Sequence, residues 1–260
     1  RTPLEIWTKI LGHACIDSST TDHQLLSLIS RFIREASALV KLQSISVHGR
    51  RQIIAFHQLL SQTPPHLRRI RYLFLSTAPL PPTSRGPAHF VPRDPPMDSE
   101  EAKQFRSACR GVLAAVAECV EILYLDLRAT RLKYMPTTPF PQLVELASNG
   151  FPIVPDYSHT ISGPSNAPRG PCPQLRRWHL MQLPRVLRGQ GGVATICTTA
   201  PAITHLRFSG LQRESHFASD LKVGLPETIH YVYVKPERPL GRGRKGGTAR
   251  ISYIRLMDGL

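Results

Sequence analysis

The sequence predicts an α/β protein whose body is an irregular stack of repeats around a parallel sheet, and three observations predict it. A phrase of the form Pro-x-[Leu/Ile]-x-x-apolar-x-apolar begins at Pro65, Pro141, Pro173 and Pro201, reading PHLRRIRY, PQLVELAS, PQLRRWHL and PAITHLRF, and only Ser148 breaks its last apolar place. Two looser copies keep the apolar spacing without the aligned proline, at Val120, Leu123 and Leu125 and at Ile229, Val232 and Val234. Helix-periodic stretches fall between these strand-like segments, and such alternation argues for parallel pairing through right-handed crossovers. Internal repetition of this kind reports an architecture built by stacking.

The elements follow in chain order. Within TPLEIWTKILGHAC, Leu4, Ile6, Trp7, Ile10, Leu11 and Ala14 recur at helical spacing, and Pro3 suits a first turn. HQLLSLISRFIREAS then places Leu25, Leu28, Ile29, Phe32 and Ile33 on one helical face and Arg31, Arg34 and Glu35 on the other. Residues 1–40 are therefore read as a small helical module, and 41–260 as the repeat body. A helix is expected over 51–62 on Ile53, Phe56 and Leu60, and another over 98–119 on Phe105, Cys109, Val112, Val116 and Cys119. Weaker helical patterns occupy 189–200 and 213–222. The Pro-rich stretches 79–96 and 152–173 read as long exposed loops. A Gly/Arg-rich turn, PLGRGRKGGTAR, joins two final strand-like stretches.

Charge divides the chain at the same place. Residues 1–40 hold four basic and four acidic side chains, so the net charge of +15 comes entirely from the remainder. No apolar run is long enough to cross a bilayer and no signal-peptide pattern is present, which leads to the expectation of an intracellular protein, cytoplasmic or nuclear, with no membrane partner. Five scattered cysteines, Cys15, Cys109, Cys119, Cys172 and Cys197, fit a reducing compartment as small buried residues.

Strand periodicity assigns the two faces of the sheet. The fifth and seventh places after each phrase start are expected in the core: Ile70 and Tyr72, Trp178 and Leu180, Leu206 and Phe208, then Val232 and Val234. Their neighbours are expected on the opposite face: Arg69 and Arg71, Ile122 and Tyr124, Glu145 and Ala147, Arg177 and His179, His205 and Arg207, Tyr231 and Tyr233. The result is a basic, histidine-containing and aromatic strip. Arg and Tyr are favoured at recognition hot spots, and clustered arginines suit an acidic or phosphorylated partner. A solvated sheet face has the same alternation.

The sequence carries no sign of catalysis. GRGRKG at 241–246 matches GxGxxG in letters, but a strand-like stretch follows it and too little chain remains for an acidic ribose partner. No phosphate-binding GKS/T loop, HExxH helix or GxSxG elbow occurs, and the eleven histidines do not pair with cysteines at metal-ligand spacing. A non-enzyme with no cofactor and no metal is expected. A nucleic-acid-binding protein is the competing class on charge alone, through Arg68, Arg69, Arg71, Arg242, Arg244 and Lys245.

The opening Pro3-Leu4-Glu5-Ile6-Trp7-Thr8-Lys9-Ile10-Leu11 resembles the start of an F-box, which in fungal sequences commonly reads Leu-Pro-x-Glu-Ile-Trp-x-x-Ile. Residues 26–35 (LSLISRFIRE) are similar to the later F-box helix with its apolar-x-x-Val-Cys/Ser-Arg pattern. Thr2 stands where the family has its leading Leu, and the Ser/Thr-rich spacer from Asp17 to Asp22 is short. With the downstream repeats, the chain resembles basidiomycete F-box proteins with a leucine-rich-repeat-like solenoid body. The resemblance implies a substrate-recognition adaptor of a Skp-cullin-F-box type ubiquitin ligase. Pro3, Leu4, Ile6, Trp7, Ile10 and Leu11 would contact the Skp-type adaptor, supported by Leu28, Ile29 and Phe32. A protein substrate would meet Arg69, Arg71, Tyr124, Arg177, His179, His205, Arg207, Tyr231 and Tyr233. An interaction scaffold with a degenerate F-box is the remaining alternative.

Overall fold

The computed structural model describes residues 3, 6–7, 9–10, 30–32, 42–78, 99–127, 138–149, 170–181, 191–211 and 225–236. The chain divides into two units, Arg1–Thr138 and Pro139–Leu260. Each unit is built on parallel strands, so the α/β class is as expected, while a solenoid is not shown.

In the first unit, strands β1 (Ser44–His48), β2 (Tyr72–Ser76) and β3 (Ile122–Asp126) pair in parallel and in order. Parallel neighbours need a long crossover. Helix α1 (Arg50–Gln62) lies between β1 and β2 in sequence, and helix α2 (Glu100–Val116) between β2 and β3. Ser99 caps α2, its hydroxyl accepting from the Ala102 N–H at 3.2 Å, and Glu100 and Glu101 stand in the first turn where the helix dipole favours negative charge. The expected apolar stripes are the buried ones: Ile53, Phe56 and Leu60 on α1, and Phe105, Cys109, Val112 and Val116 on α2. Cys119 lies beyond the helix end and is half-buried. The helices pack on one another, and their buried sides form the core with Val47, Leu73, Leu75, Leu123 and Leu125.

In the second unit, β4 (Glu145–Asn149), β5 (Arg177–Met181), β6 (His205–Leu211) and β7 (Tyr231–Pro236) also pair in parallel and in order. Helix α3 (Gly191–Thr199) connects β5 to β6 and buries Val193 and Ile196. The two core rows read Leu146, Trp178, Leu206, Val232 and Ser148, Leu180, Phe208, Val234 in register. Burial holds through β6 and declines at β7, where Val232 is 37% exposed.

The repeated phrase has a local cause. In three copies the proline follows the first residue of a tight turn, and the Leu143, Leu175 and Ile203 N–H groups donate to the carbonyls of Phe140, Cys172 and Ala200. Proline presets φ for the second place of such a turn. The turn drops Leu143, Leu175 and Ile203 into the core one rung before each strand, and all three are buried. A looser copy makes the same turn, Ile229 N–H donating to Pro226 O at 3.0 Å.

The first copy is offset, which corrects the expected register. Pro65 opens a separate 3-10 turn, Pro65–Leu67, and β2 begins only at Tyr72. Ile70 therefore takes the place of Leu143, Leu175 and Ile203, while Leu73 and Leu75 take the two core places of the strand. Tyr72, expected in the core, stands on the opposite face with Phe74. The stretch 152–173 is also corrected at its end. Pro171 and Cys172 are buried, with Pro171 O accepting from Phe140 N–H at 2.7 Å and Cys172 N–H donating to Thr199 O at 3.1 Å. The expected loop at 79–96, the helix at 213–222 and the closing Gly/Arg-rich segment lie outside the described residues. No described helix is long and apolar enough to cross a membrane.

Candidate functional site

Two surfaces combine sequence expectation with exposed chemistry. The first is N-terminal. Ile6, Trp7, Lys9 and Ile10 have helical backbone, and the Ile6 and Trp7 N–H groups donate to Pro3 O at 3.2 and 3.4 Å. Proline suits this place because the first helical N–H has no partner within its own helix. Trp7 is half-buried and meets Phe32 edge-on, with ring centroids 6.3 Å apart. Ile6, Ile10 and Phe32 remain 45%, 50% and 46% exposed, so they form apolar surface in contact with water. Leu4, Leu11, Leu28 and Ile29 lie outside the described residues.

The second surface is the polar side of the strands. In the second unit, two rows across β4 to β7 read Glu145, Arg177, His205, Tyr231 and Ala147, His179, Arg207, Tyr233. All these positions match the expected strip. Arg177 lies 3.5 Å from Glu145, so its charge is partly balanced. Arg207 sits over the Tyr233 ring at 5.1 Å, a cation–π contact, and has no carboxylate partner among the described residues. His205 stacks on Tyr231 with centroids 4.5 Å apart, and its Nδ1 is 2.8 Å from Thr204 Oγ1. His179 Nε2 lies 2.9 Å from Ser209 Oγ. Burial, and then the Arg207 guanidinium, hold the His179 imidazole below its ordinary titration range, against the smaller upward pull of Glu145.

Strand spacing sets how these rings stand. Parallel strands lie roughly 4.8 Å apart, and near-parallel rings with centroids 4.5 Å apart can only stack face to face. One face of Tyr231 is thereby taken by His205 and one face of Tyr233 by Arg207. Tyr231 and Tyr233 are 62% and 57% exposed. The described residues of this unit carry an excess of cations, with Arg176, Arg177, Arg207 and Lys235 against Glu145 and Glu227.

The first unit differs. On its outward face Phe74 stands in row with Tyr124, ring centroids 4.7 Å apart, and meets His48 of the next rung diagonally at 5.0 Å, in an aromatic ladder. Arg69 and Arg71 precede β2 and do not join this ladder. Arg71 donates bidentately to Glu121 at 2.7 and 2.8 Å, while Arg69 Nε donates to His66 O at 3.3 Å. Of the expected strip, the structure brings Arg177, His179, His205, Arg207, Tyr231 and Tyr233 together in the second unit and puts Tyr124 in the first. Ser209 beside His179, and His48 and Phe74 beside Tyr124, were missed. The signal that finds Ser209 is one more step of strand alternation beyond Arg207.

Between α1 and α2 a groove of about 390 Å³ is lined by His57, Leu60, Ser61, Arg68, Gly111, Ala114 and Ala115. It has no cluster of catalytic groups. Cys109 and Cys172 are buried, with thiols pushed up to about 12, so neither is a nucleophile at neutral pH. No group of three or more metal-ligating side chains occurs among the described residues. Comparison with protein-family models, curated proteins and solved structures returned no match.

Proposed function

We propose that the chain is a non-catalytic substrate-recognition subunit of a Skp-cullin-F-box type ubiquitin ligase. The N-terminal helical pair would dock on the Skp-type adaptor, and the polar sheet face of the second unit would hold a protein substrate. Such a subunit works by proximity, keeping the substrate beside a ubiquitin-loaded enzyme supplied by other chains. The observation that carries this reading is the exposure of Ile6, Ile10 and Phe32 around the half-buried Trp7, within the segment that resembles an F-box. Exposed apolar groups gathered around an aromatic anchor are what a partner surface needs.

The test is co-purification with the host's Skp-type adaptor in moderate salt, comparing the wild-type chain with an Ile6→Ala, Ile10→Ala variant. Both side chains are about half exposed, so truncating them leaves the fold largely untouched. Retention of the adaptor by the wild type and its loss in the variant supports the reading. A folded wild-type chain that fails to retain the adaptor overturns it.

A further inference from the structure

The helical layer of the first unit holds a groove that neither proposed surface uses. His57, Leu60 and Ser61 lie one turn apart on α1 and share a face, as do Gly111, Ala114 and Ala115 on α2. The small α2 side chains leave the opening of about 390 Å³ between the helices, a size at which pockets hold small ligands. A Cβ on Gly111 would run into the His57 ring, so glycine is what lets the imidazole lie against α2 as one wall. Buried Leu60, with Ala114 and Ala115, makes the rest of the lining largely apolar. Arg68 is the permanent cation there, and no carboxylate lines the groove among the described residues. Its Nε donates to Thr63 O at 2.7 Å, which fixes the guanidinium, while its Nη groups have no acceptor among the described residues. We infer that this groove binds a small aliphatic carboxylate, its head on Arg68 and its stem along Leu60, Ala114 and Ala115.

The chemistry selects that ligand over its neighbours. A carboxylate is planar and singly charged, and a guanidinium with two open Nη groups matches it bidentately. A phosphate monoester brings close to two charges, of which one permanent cation balances one. A neutral apolar ligand would cover Arg68 without giving it an acceptor, and burying a charge unpaired is costly. An anion without a stem would leave the apolar lining in water, whereas each CH₂ laid against it adds roughly fourfold in affinity. Ser61 does not compete for the head, because its Oγ already donates to His57 O at 2.8 Å. The site shares no residue with the adaptor and substrate surfaces, so it stands or falls independently of the ligase reading.

The probe is sodium hexanoate, titrated into the isotope-labelled whole chain at constant ionic strength and followed through the amide resonances of Gly111, Ala114 and Ala115. A Kd of about 1 mM is expected for a ligand of this size. 1-Hexanol, the stem without the charge, should bind at least about tenfold more weakly, since it loses a hydrogen-bonded ion pair. Sodium acetate, the head without the stem, should also fall at least about tenfold. Ala114 is exposed, so Ala114→Leu should keep the helix while its side chain fills the groove and weakens hexanoate at least about tenfold. Arg68→Gln, with its fold checked by circular dichroism, should reduce hexanoate to the level of hexanol. Hexanoate that moves none of these resonances at about 20 mM, hexanol that binds as tightly, or an affinity unchanged in Ala114→Leu overturns the site, and these three outcomes decide the matter even where Arg68→Gln does not fold. A capped peptide bearing a single glutamate that binds the groove more tightly than hexanoate would make it a protein-docking surface, and the inference fails.

Discussion

Ser148 is the one polar residue at the last core place of the three repeated phrases that form in the expected register, and its replacement by alanine should destabilise the second unit. The residue is fully buried, and its hydroxyl accepts the indole N–H of Trp178 at 3.1 Å, Trp178 itself being 1% exposed. Ser148→Ala removes a single oxygen, so little packing is lost. A buried donor deprived of its acceptor costs about 1–3 kcal/mol. With a urea slope near 2 kcal/mol/M, the unfolding midpoint should fall by about 0.5–1.5 M. Trp178→Phe removes the donor together with part of the ring, and costs packing as well. The double variant removes both polar atoms, so it should cost less than the sum of the singles by about 1 kcal/mol. Far-UV circular dichroism of all four chains in urea supplies the cycle. A Ser148→Ala midpoint at or above wild type, or strict additivity in the double variant, would refute the claim that this bond stabilises the second unit.

Two further predictions concern the same unit and the helical layer. A Cβ on Gly170 would run into the Thr198 carbonyl and come within 2.7 Å of the Thr199 carbonyl, both backbone groups that cannot rotate aside. Gly170→Ala should therefore cost about 1–3 kcal/mol, as overpacking does, seen as a lowered thermal midpoint; an unchanged midpoint would show that the turn before β5 yields freely. For Cys109 and Cys172, burial pushes the thiol up to about 12, far from the thiolate form that reacts. Iodoacetamide at about pH 8 should leave both unmodified in the folded chain and label both in urea, as read by peptide mass spectrometry.

What the sequence makes legible here is the part of the structure that strict periodicity dictates. Burying Trp178 and Leu180 requires Arg177 and His179 to face the other way, because side chains alternate along a strand. The same necessity places His205 with Arg207 and Tyr231 with Tyr233, so most of the candidate recognition surface follows from the core pattern. The helices α1 and α2 are legible for a parallel reason, since their apolar stripes recur at helical spacing, over about two turns in α1 and about three in α2. Pairing across strands is not legible in this way: no pattern in the sequence says that Ser209 will stand beside His179.

The first repeat shows where such reasoning breaks and why. PHLRRIRY fits the phrase as well as PQLRRWHL does, yet its proline sits three residues further from the strand. In the later copies a single turn leads directly from proline to core residue to strand. After Pro65 the chain instead makes a 3-10 turn whose Arg68 N–H returns to Pro65 O at 3.1 Å, and Arg68 Nε is held by Thr63 O at 2.7 Å. Those bonds use up the residues that elsewhere begin the descent into the core. Ile70 then fills the pre-strand place, and an odd displacement of three residues exchanges the faces of everything that follows. Arg71 consequently leaves the recognition face and meets Glu121, while Tyr72 and Phe74 take the outward places. A better guide lies three residues further on, in the alternation of Leu73 and Leu75, which matches Leu123 and Leu125 without any proline. The turn residue announces that a strand is coming, but the paired apolar residues on the strand itself determine which side is in.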